Sequence, residues 1–246
     1  MLQLVAFDLD GTLADFNRPI QPETVQLLQQ LQEEEVKLIF TSGKPISYIA
    51  GLVRQSGLEN IIIIGDNGGR IWFGHQFPPS KTIMMEMTAT ASGELEKIKT
   101  AILTKYGEKV WIQPNEVAFS LFGSDIEIQK VYDFCDRVFK EEQIKHLKSF
   151  KTGGALDVMP LNIDKGVALK LIQEELNIPL EDTAVIGDGA NDIPMFLQGK
   201  IRITFAKTAD IFQQFAPKVV KDINAALRFL IDLSQFEKNM ILDSLM

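Results

Sequence analysis

A short apolar strand that runs straight into two aspartates, Val5-Ala6-Phe7-Asp8-Leu9-Asp10-Gly11-Thr12, constrains the fold of this chain more than any other segment. Side chains alternate along a strand, so Asp8 and Asp10 face one side just where the strand ends. Gly11 admits a sharp turn, and Thr12 can cap the segment beyond it. Carboxylates at the carboxyl end of a buried strand occupy the edge at which open α/β sheets bind ligands. Two like charges so close together are costly without a cation or a shared proton, which points to a metal-assisted site. The competing reading is a capped turn after a core strand.

The rest of the chain shows what surrounds this strand. Residues 2–7, 36–40 and 61–64 read as buried strands. Between them, 22–34 and 45–56 read as helices, the first with Pro near its first turn and the second closed by Gly57. Strands alternating with helices over short links imply parallel pairing with right-handed crossovers. After Asn67-Gly68-Gly69 the pattern changes. Segments 70–73 and 75–77 flank Gly74 as a hairpin, followed by Pro78-Pro79, and 82–88 reads as a strand. Helices over 93–106 and 126–140 then alternate with strands at 110–113, 117–122, 144–150 and 155–159, the last two around Thr152-Gly153-Gly154. That order predicts an antiparallel sheet with helices on one face. The alternating pattern resumes with a helix at 165–176, strands at 183–186 and 201–205, a short helix at 193–197 and a helical tail at 223–233. The simplest architecture is a discontinuous parallel α/β core, residues 1–79 and 155–246, interrupted by an α+β module at 80–154.

Composition narrows the function. The chain has 246 residues, 46% hydrophobic and 24% charged, as expected of a globular protein with one large domain or two modest ones. A formal net charge of −8 argues against a non-specific nucleic-acid binder. It leaves anionic small substrates open, because a metal or lysine can reverse the sign inside a cleft. The single cysteine, Cys135, excludes an intrachain disulfide and a Cys-based metal site, and its amphipathic surroundings predict burial. With no signal-peptide pattern and no apolar run long enough to span a bilayer, no membrane association is predicted and the cytoplasm is the expected compartment.

Four segments fall at carboxyl ends of the expected core strands or at helix starts beside them. The first holds Asp8 and Asp10. The second, Thr41-Ser42-Gly43-Lys44-Pro45, supplies a hydroxyl, a flexible backbone and free amides that suit phosphate oxygens, though taken alone it reads more readily as an N-cap before Pro. The third, Asp164-Lys165-Gly166, opens a helix with a lysine where the helix dipole disfavours a cation. A nearby anion would explain it; so would a surface position. The fourth, Gly187-Asp188-Gly189-Ala190-Asn191-Asp192, carries more carboxylate and amide groups than a turn needs. Asp188 could join Asp8 around a hard cation.

Taken in order, Asp8-Leu9-Asp10-Gly11-Thr12, Ser42-Gly43-Lys44-Pro45, Lys165-Gly166 and Gly187-Asp188-Gly189-Ala190-Asn191-Asp192 resemble the four motifs of the haloacid dehalogenase superfamily. The inserted module resembles the cap of its type IIB branch, the Cof-type and sugar-phosphate phosphatases, and Asn67-Gly68-Gly69 is similar to that branch's Asn-Gly-Ala turn. The resemblance implies a Rossmann-like core with a mobile type IIB cap, and a Mg²⁺-dependent phosphatase acting on a small phosphorylated metabolite, most plausibly a sugar phosphate. It implies Asp8 as nucleophile and Asp10 as acid and base. Magnesium would be bound by the Asp8 and Asp188 carboxylates and the Asp10 carbonyl. Without a cation a dianionic substrate could hardly approach, since unit charges at ~4 Å repel by about 4 kcal/mol at an effective dielectric of 20. Ser42 and the Gly11 and Gly43 amides would hold phosphoryl oxygens, and Lys165 would neutralise charge on Asp8 and the transferring group. Asn191 would contact phosphate or a metal-bound water, and Asp192 would orient metal waters or Lys165. Two other functions fit the same residues: a phosphomannomutase-like phosphosugar mutase, and a non-catalytic phospholigand-binding module.

The chain departs from the branch in places. Ser42 and Lys44 stand where Thr and Arg are usual, which leaves the arginine's contact to Lys44, and Thr41 is the rival hydroxyl if the register slips by one. Residues 201–220 look nearer to trehalose- or sucrose-phosphate phosphatases, whereas Asn191-Asp192 follows the Cof pattern. His75 and His146 accompany no nucleophile that would make a triad. Met84-Met85-Glu86-Met87 reads as packing, and 229–233 as a core-facing helix. In the insert, Lys151 and Asp157 are the first residues to test for substrate contact.

Overall fold

The structure, a computed structural model, describes residues 1–16, 18–152, 154–215 and 217–245. In chain order its first part comprises β1 (Leu4–Asp8), α1 (Pro22–Glu33), β2 (Lys37–Thr41), α2 (Ile46–Arg54), β3 (Ile62–Gly65), β4 (Arg70–Phe73) and β5 (Lys81–Met84). The middle part comprises α3 (Ala89–Tyr106), β6 (Trp111–Ile112), β7 (Phe119–Phe122), α4 (Asp125–Glu141), β8 (Leu147–Thr152) and β9 (Ala155–Pro160). The last part comprises α5 (Lys165–Leu176), β10 (Thr183–Ile186), α6 (Ile193–Phe196), β11 (Ile201–Phe205), α7 (Ala209–Phe212), β12 (Lys218–Val220) and α8 (Ile223–Leu245).

Among the described residues these strands form two sheets. The larger has the order β12-β11-β10-β1-β2-β3-β4-β5, and the smaller the order β6-β7-β9-β8. In the larger sheet β12, β11, β10, β1, β2 and β3 pair in parallel, and β4 and β5 add an antiparallel edge. Side-chain parity separates its two faces. Val5, Phe7, Leu38, Phe40, Ile63, Ala184 and Ile186 pack into one apolar layer with Leu28 and Leu31 of α1, Ile49 and Val53 of α2, and Leu227 and Leu230 of α8. Leu4, Ala6, Ile39, Ile62, Ile64 and Val185 pack into the other, with Leu169 and Ile172 of α5 and Met195 and Phe196 of α6. Asp8 has the parity of Leu4 and Ala6, so it turns toward the start of α5. The smaller sheet packs against α3 and α4 around Leu95, Ile98, Ile128, Val131 and Cys135. Burial there pushes the Cys135 thiol up to about 12.

Strand pairing moves both junctions of the insert. The sequence pattern has residues 81–84 opening the inserted module, but β5 pairs with β4 as an edge of the larger sheet. The boundary at 154 assigns residues 155–160 to the core, but β9 lies between β7 and β8 in the smaller sheet, as the expected hairpin of 144–150 with 155–159 requires. The division at 80 and 154 is therefore displaced by several residues at each end. The hairpin around Gly74 is also corrected. Residues 74–78 are bends, and β4 returns as β5 rather than as 75–77, which is followed by Pro78 and Pro79 with no N–H for a ladder. Helix α3 starts at Ala89 rather than 93, because the Thr88 side chain accepts from Ala91 N at 3.1 Å and caps it earlier. Helix α8 runs past 233, since nothing from 221 onward is Gly or Pro. Gly153, in the expected β8–β9 turn, lies outside the described residues. No described helix is long and apolar enough to cross a membrane.

Candidate active site

The four motif segments converge at the carboxyl edge of β1, β2 and β10. Asp8 ends β1, and Leu9 packs in the layer of Phe7, so the alternation persists one step beyond the strand and Asp10 again faces the cleft. The chain then folds back on itself. Gly11 N donates to Ala14 O at 2.7 Å and Ala14 N to Leu9 O at 3.0 Å, around a Gly11 φ of 87°. A Cβ on Gly11 would lie 2.2 Å from Asp188 Oδ2, so this close approach requires glycine. The Gly11 amide expected for a phosphoryl oxygen is already committed to this turn. Thr12 caps no helix; its Oγ1 donates to Asp188 Oδ1 at 3.0 Å and fixes the fourth segment against the first.

Lys165, the first residue of α5, has no solvent exposure. Its Nζ donates to Asp8 Oδ1 and, at 2.5 Å, to Asp192 Oδ1. These two carboxylates are the anions that justify a lysine at a helix N-terminus. Asp192 Oδ2 in turn accepts from Asp188 N and Gly189 N, each at 3.0 Å, so both of its oxygens are engaged by the protein. Burial, then Asp192, raise the Asp8 carboxyl well above the ordinary range against the pull of Lys165. Burial and Asp192 likewise raise Asp188, opposed by the Thr12 hydroxyl. Burial alone would lower Lys165, but Asp192 and Asp8 outweigh it and hold the ammonium charged.

Asp8, Asp188 and Asp192 bring carboxylate oxygens within 4.8 Å of one another. Hard oxygen donors in so small a volume fit a hard divalent cation. Because Asp192 is occupied by Lys165 and two amides, Asp8 and Asp188 are the side chains with oxygens to offer.

From the second segment, Ser42 and Gly43 line the same cleft of about 240 Å³ as Asp8, Asp10, Asp188 and Asn191. Thr41 does not: it is fully buried, with Oγ1 directed at Met195 Sδ 3.9 Å away. Lys44 Nζ is ion-paired with Asp10. Asn191 Nδ2 donates to Asn67 Oδ1 at 3.2 Å, so the turn at 67–69 supports the fourth segment.

Sequence reasoning missed most of the far wall. Gln113, Ser120 and Phe122, all from the inserted module, face the acidic cluster together with Asp157. Burial raises Asp157, opposed by the Ser120 hydroxyl that donates to it. Asn67 also favours its ionised form, although its Nδ2 makes no hydrogen bond among the described residues. The other residue singled out in the insert, Lys151, is exposed and lines no part of this cleft. These positions carry no motif; the antiparallel register of β7 with β9, Ser120 opposite Asp157, is what brings them together.

The family model described as sucrose-6F-phosphate phosphohydrolase matches residues 1–222. The chain belongs to that family. Like other haloacid dehalogenase-like phosphatases, this family member is a phosphoric monoester hydrolase. It is 29% identical over 196 residues to a phosphoglycolate phosphatase of Thermoplasma volcanium, covering 80% of this chain and 81% of the relative. It is 23% identical over 222 residues to a 5-amino-6-(5-phospho-D-ribitylamino)uracil phosphatase of Bacillus subtilis, covering 87% and 88%. A haloacid dehalogenase-like hydrolase of Bacteroides thetaiotaomicron shares the fold at a TM-score of 0.75 and 17% identity, over 94% of this chain and 99% of that one. A Thermotoga maritima protein does so at 0.70 and 20% identity, over 93% and 97%.

Proposed function

We propose that this phosphohydrolase is Mg²⁺-dependent and releases phosphate from a small phosphorylated metabolite through an aspartyl-phosphate on Asp8. The observation that carries the reading is the convergence of Asp8, Asp10 and Asp188 on one cleft, with Lys165 buried against Asp8. The Asp8 and Asp188 carboxylates, with the Asp10 carbonyl, would hold the ion. Once bound, it neutralises the acidic cluster and polarises a phosphoryl oxygen. Asp8 attacks phosphorus as the bond to the leaving oxygen breaks. Asp10 gives its proton to that oxygen, then takes one from the water that cleaves the aspartyl-phosphate, restoring Asp8 and releasing inorganic phosphate. Ser42 and the Gly43 amide face the transferring group, and Lys165 holds Asp8 in line through its second bond to Asp192. Lys44 and Asn191 line the same cleft and would contact phosphoryl oxygens. The inserted module serves as the cap: Gln113, Ser120 and Asp157 close the cleft opposite Asp8 and exclude bulk water.

The family description and the sugar-phosphate resemblance support a phosphorylated sugar or sugar alcohol as the part next to the phosphate. Phosphate release from a broad ester panel, with Mg²⁺ and after chelation, tests the reading. Activity that chelation leaves intact would remove the metal, and turnover by Asp8→Asn would remove the nucleophile. A hexose 1-phosphate converted to its 6-phosphate without free phosphate would mark a mutase instead.

A further inference from the structure

The cleft that holds Asp8 continues beyond Asp10. Past Phe16, Lys44, Gln113 and Phe122, which line both spaces, it opens into a groove of about 780 Å³. We propose that this groove seats the leaving group of the phosphoester, and that the leaving group ends in a flat unsaturated ring joined to the phosphate by an open-chain arm. The inference rests on the phosphatase reading above and adds the class of substrate to it.

The walls are the first reason. Phe16 and Tyr48 come from the core, Trp111 and Phe122 from the inserted module. Trp111 and Phe122 are cross-strand partners in β6 and β7, so both rings stand on one face. Ring centroids lie 6.4 Å apart for Phe16–Phe122 and 5.7 Å for Trp111–Phe122, which makes one continuous aromatic wall across core and insert. Phe16 is 55% exposed and Trp111 59%. Single exposed rings need no explanation, but several gathered in one concave place mark a binding surface.

Polar capacity is the second reason. Lys44 Nζ is engaged by Asp10 and lies 4.9 Å from the Phe16 centroid and 5.5 Å from that of Tyr48. Gln113 Nε2 donates to Gly43 O at 2.8 Å and to Asn115 Oδ1 at 2.7 Å. Ser47 and the Tyr48 hydroxyl are the further polar groups of this lining, fewer than a ligand with many hydroxyls would need to pair them all. A flat ring needs only the faces and edges of other rings. A leaving group of two carbons stays in the space at Asp8, beside Phe16 and Phe122, and does not extend to Tyr48 or Trp111. Continuity through Lys44 identifies the occupant: whatever lies in the groove is adjacent to the oxygen that Asp10 protonates.

The test compares ring-bearing with ring-free phosphomonoesters in one phosphate-release assay with Mg²⁺. Flavin mononucleotide and pyridoxal 5′-phosphate, with a long and a short arm, are set against phosphoglycolate and glucose 6-phosphate. At least one ring-bearing ester is expected to exceed both ring-free ones by about tenfold in kcat/KM. Trp111→Ala and Tyr48→Ala, which touch the groove and not the acidic cleft, should each reduce that preference by about fivefold, chiefly through KM. Ring-free esters hydrolysed as well or better, or a preference that neither substitution moves, would overturn the proposal and leave the phosphatase reading intact. Release from no ester at all would overturn the phosphatase reading instead. Binding of pyridoxine, which has no phosphate, then decides the groove separately. Fluorescence quenching present in the unaltered protein and absent in Trp111→Leu supports the ring seat, and equal or absent quenching in both overturns it.

Discussion

Lys165 Nζ donates to Asp8 Oδ1 from a position with no solvent exposure, and the same ammonium holds Asp192. A buried ion with its partners in place is tolerated; its partners left alone are not, and stranding them costs about 3–5 kcal/mol. Lys165→Met is therefore expected to lower the urea midpoint, with a deficit that grows as pH rises and the two carboxylates can no longer be relieved by protons. It should also lower kcat/KM by about 10²–10³ through loss of charge stabilisation at the reacting group. Unfolding curves at two pH values read the first effect. A midpoint unchanged at both would show that the ammonium contributes nothing to the pairing.

Metal binding is expected to release a proton. In the metal-free protein the Asp8 carboxyl is raised from 3.8 to about 8, and Asp188 is raised as well. The folded chain thus keeps a proton that the unfolded chain gives up near pH 4, so metal-free stability falls as pH rises between those values. A cation binds the carboxylate, so its affinity rises over the same interval, by up to about tenfold per pH unit for one proton displaced. The Mg²⁺-induced rise in Tm should accordingly be larger at pH 7.5 than at pH 5.5, and calorimetric titration in buffers of different ionisation enthalpy should register the proton. A pH-independent Mg²⁺ shift would contradict the raised carboxyls.

Asp10 is paired with Lys44 rather than Lys165, and that difference separates its role from that of Asp8. If Asp10 protonates the leaving oxygen, its loss matters most where that oxygen is a poor leaving group. Asp10→Asn should cost an alkyl phosphate about 10²–10⁴ in the rate of phosphoenzyme formation, and p-nitrophenyl phosphate distinctly less. Pre-steady-state release of the alcohol measures this. Equal losses for both esters would leave Asp10 a merely structural part of the site.

How much of this was legible in the sequence depended on whether the signal was local. Asp8, Ser42, Lys165 and Asp188 each sit at the end of a buried strand or the start of a helix, where composition and periodicity say directly what the neighbourhood is. Lys165 was legible even as an anomaly, because a lysine at a helix start asks for an anion. By contrast, the sheet that β5 joins is decided by its pairing with β4, and four residues carry no mark of it. The three-residue β12 is too short for any period. Ser120 and the strand-borne rings Trp111 and Phe122 were hidden because each belongs to a strand whose register with another sets what faces the cleft.

Register also accounts for Asp66, a buried carboxylate outside the four motif segments. Its oxygens accept from Glu116 N at 2.7 Å, Val117 N at 3.2 Å and Asn115 Nδ2 at 3.2 Å, tying the turn after β6 to the core beside Gly43. Asp66→Ala leaves those two amides unpaired, at a cost of about 1–3 kcal/mol. At φ 54° alanine adds about 1–2 kcal/mol of backbone strain. Because Gln113 and Asn115 also donate to Gly43 O, loosening the turn should disturb phosphate binding and raise KM more than it lowers kcat. Asp66→Asn keeps one acceptor and tolerates the left-handed backbone, so it should recover at least half of the lost stability. Hydrogen exchange at the Glu116 and Val117 amides checks the cause: both should lose protection in Asp66→Ala. If they exchange no faster than in the unaltered protein, the tie between insert and core lies elsewhere.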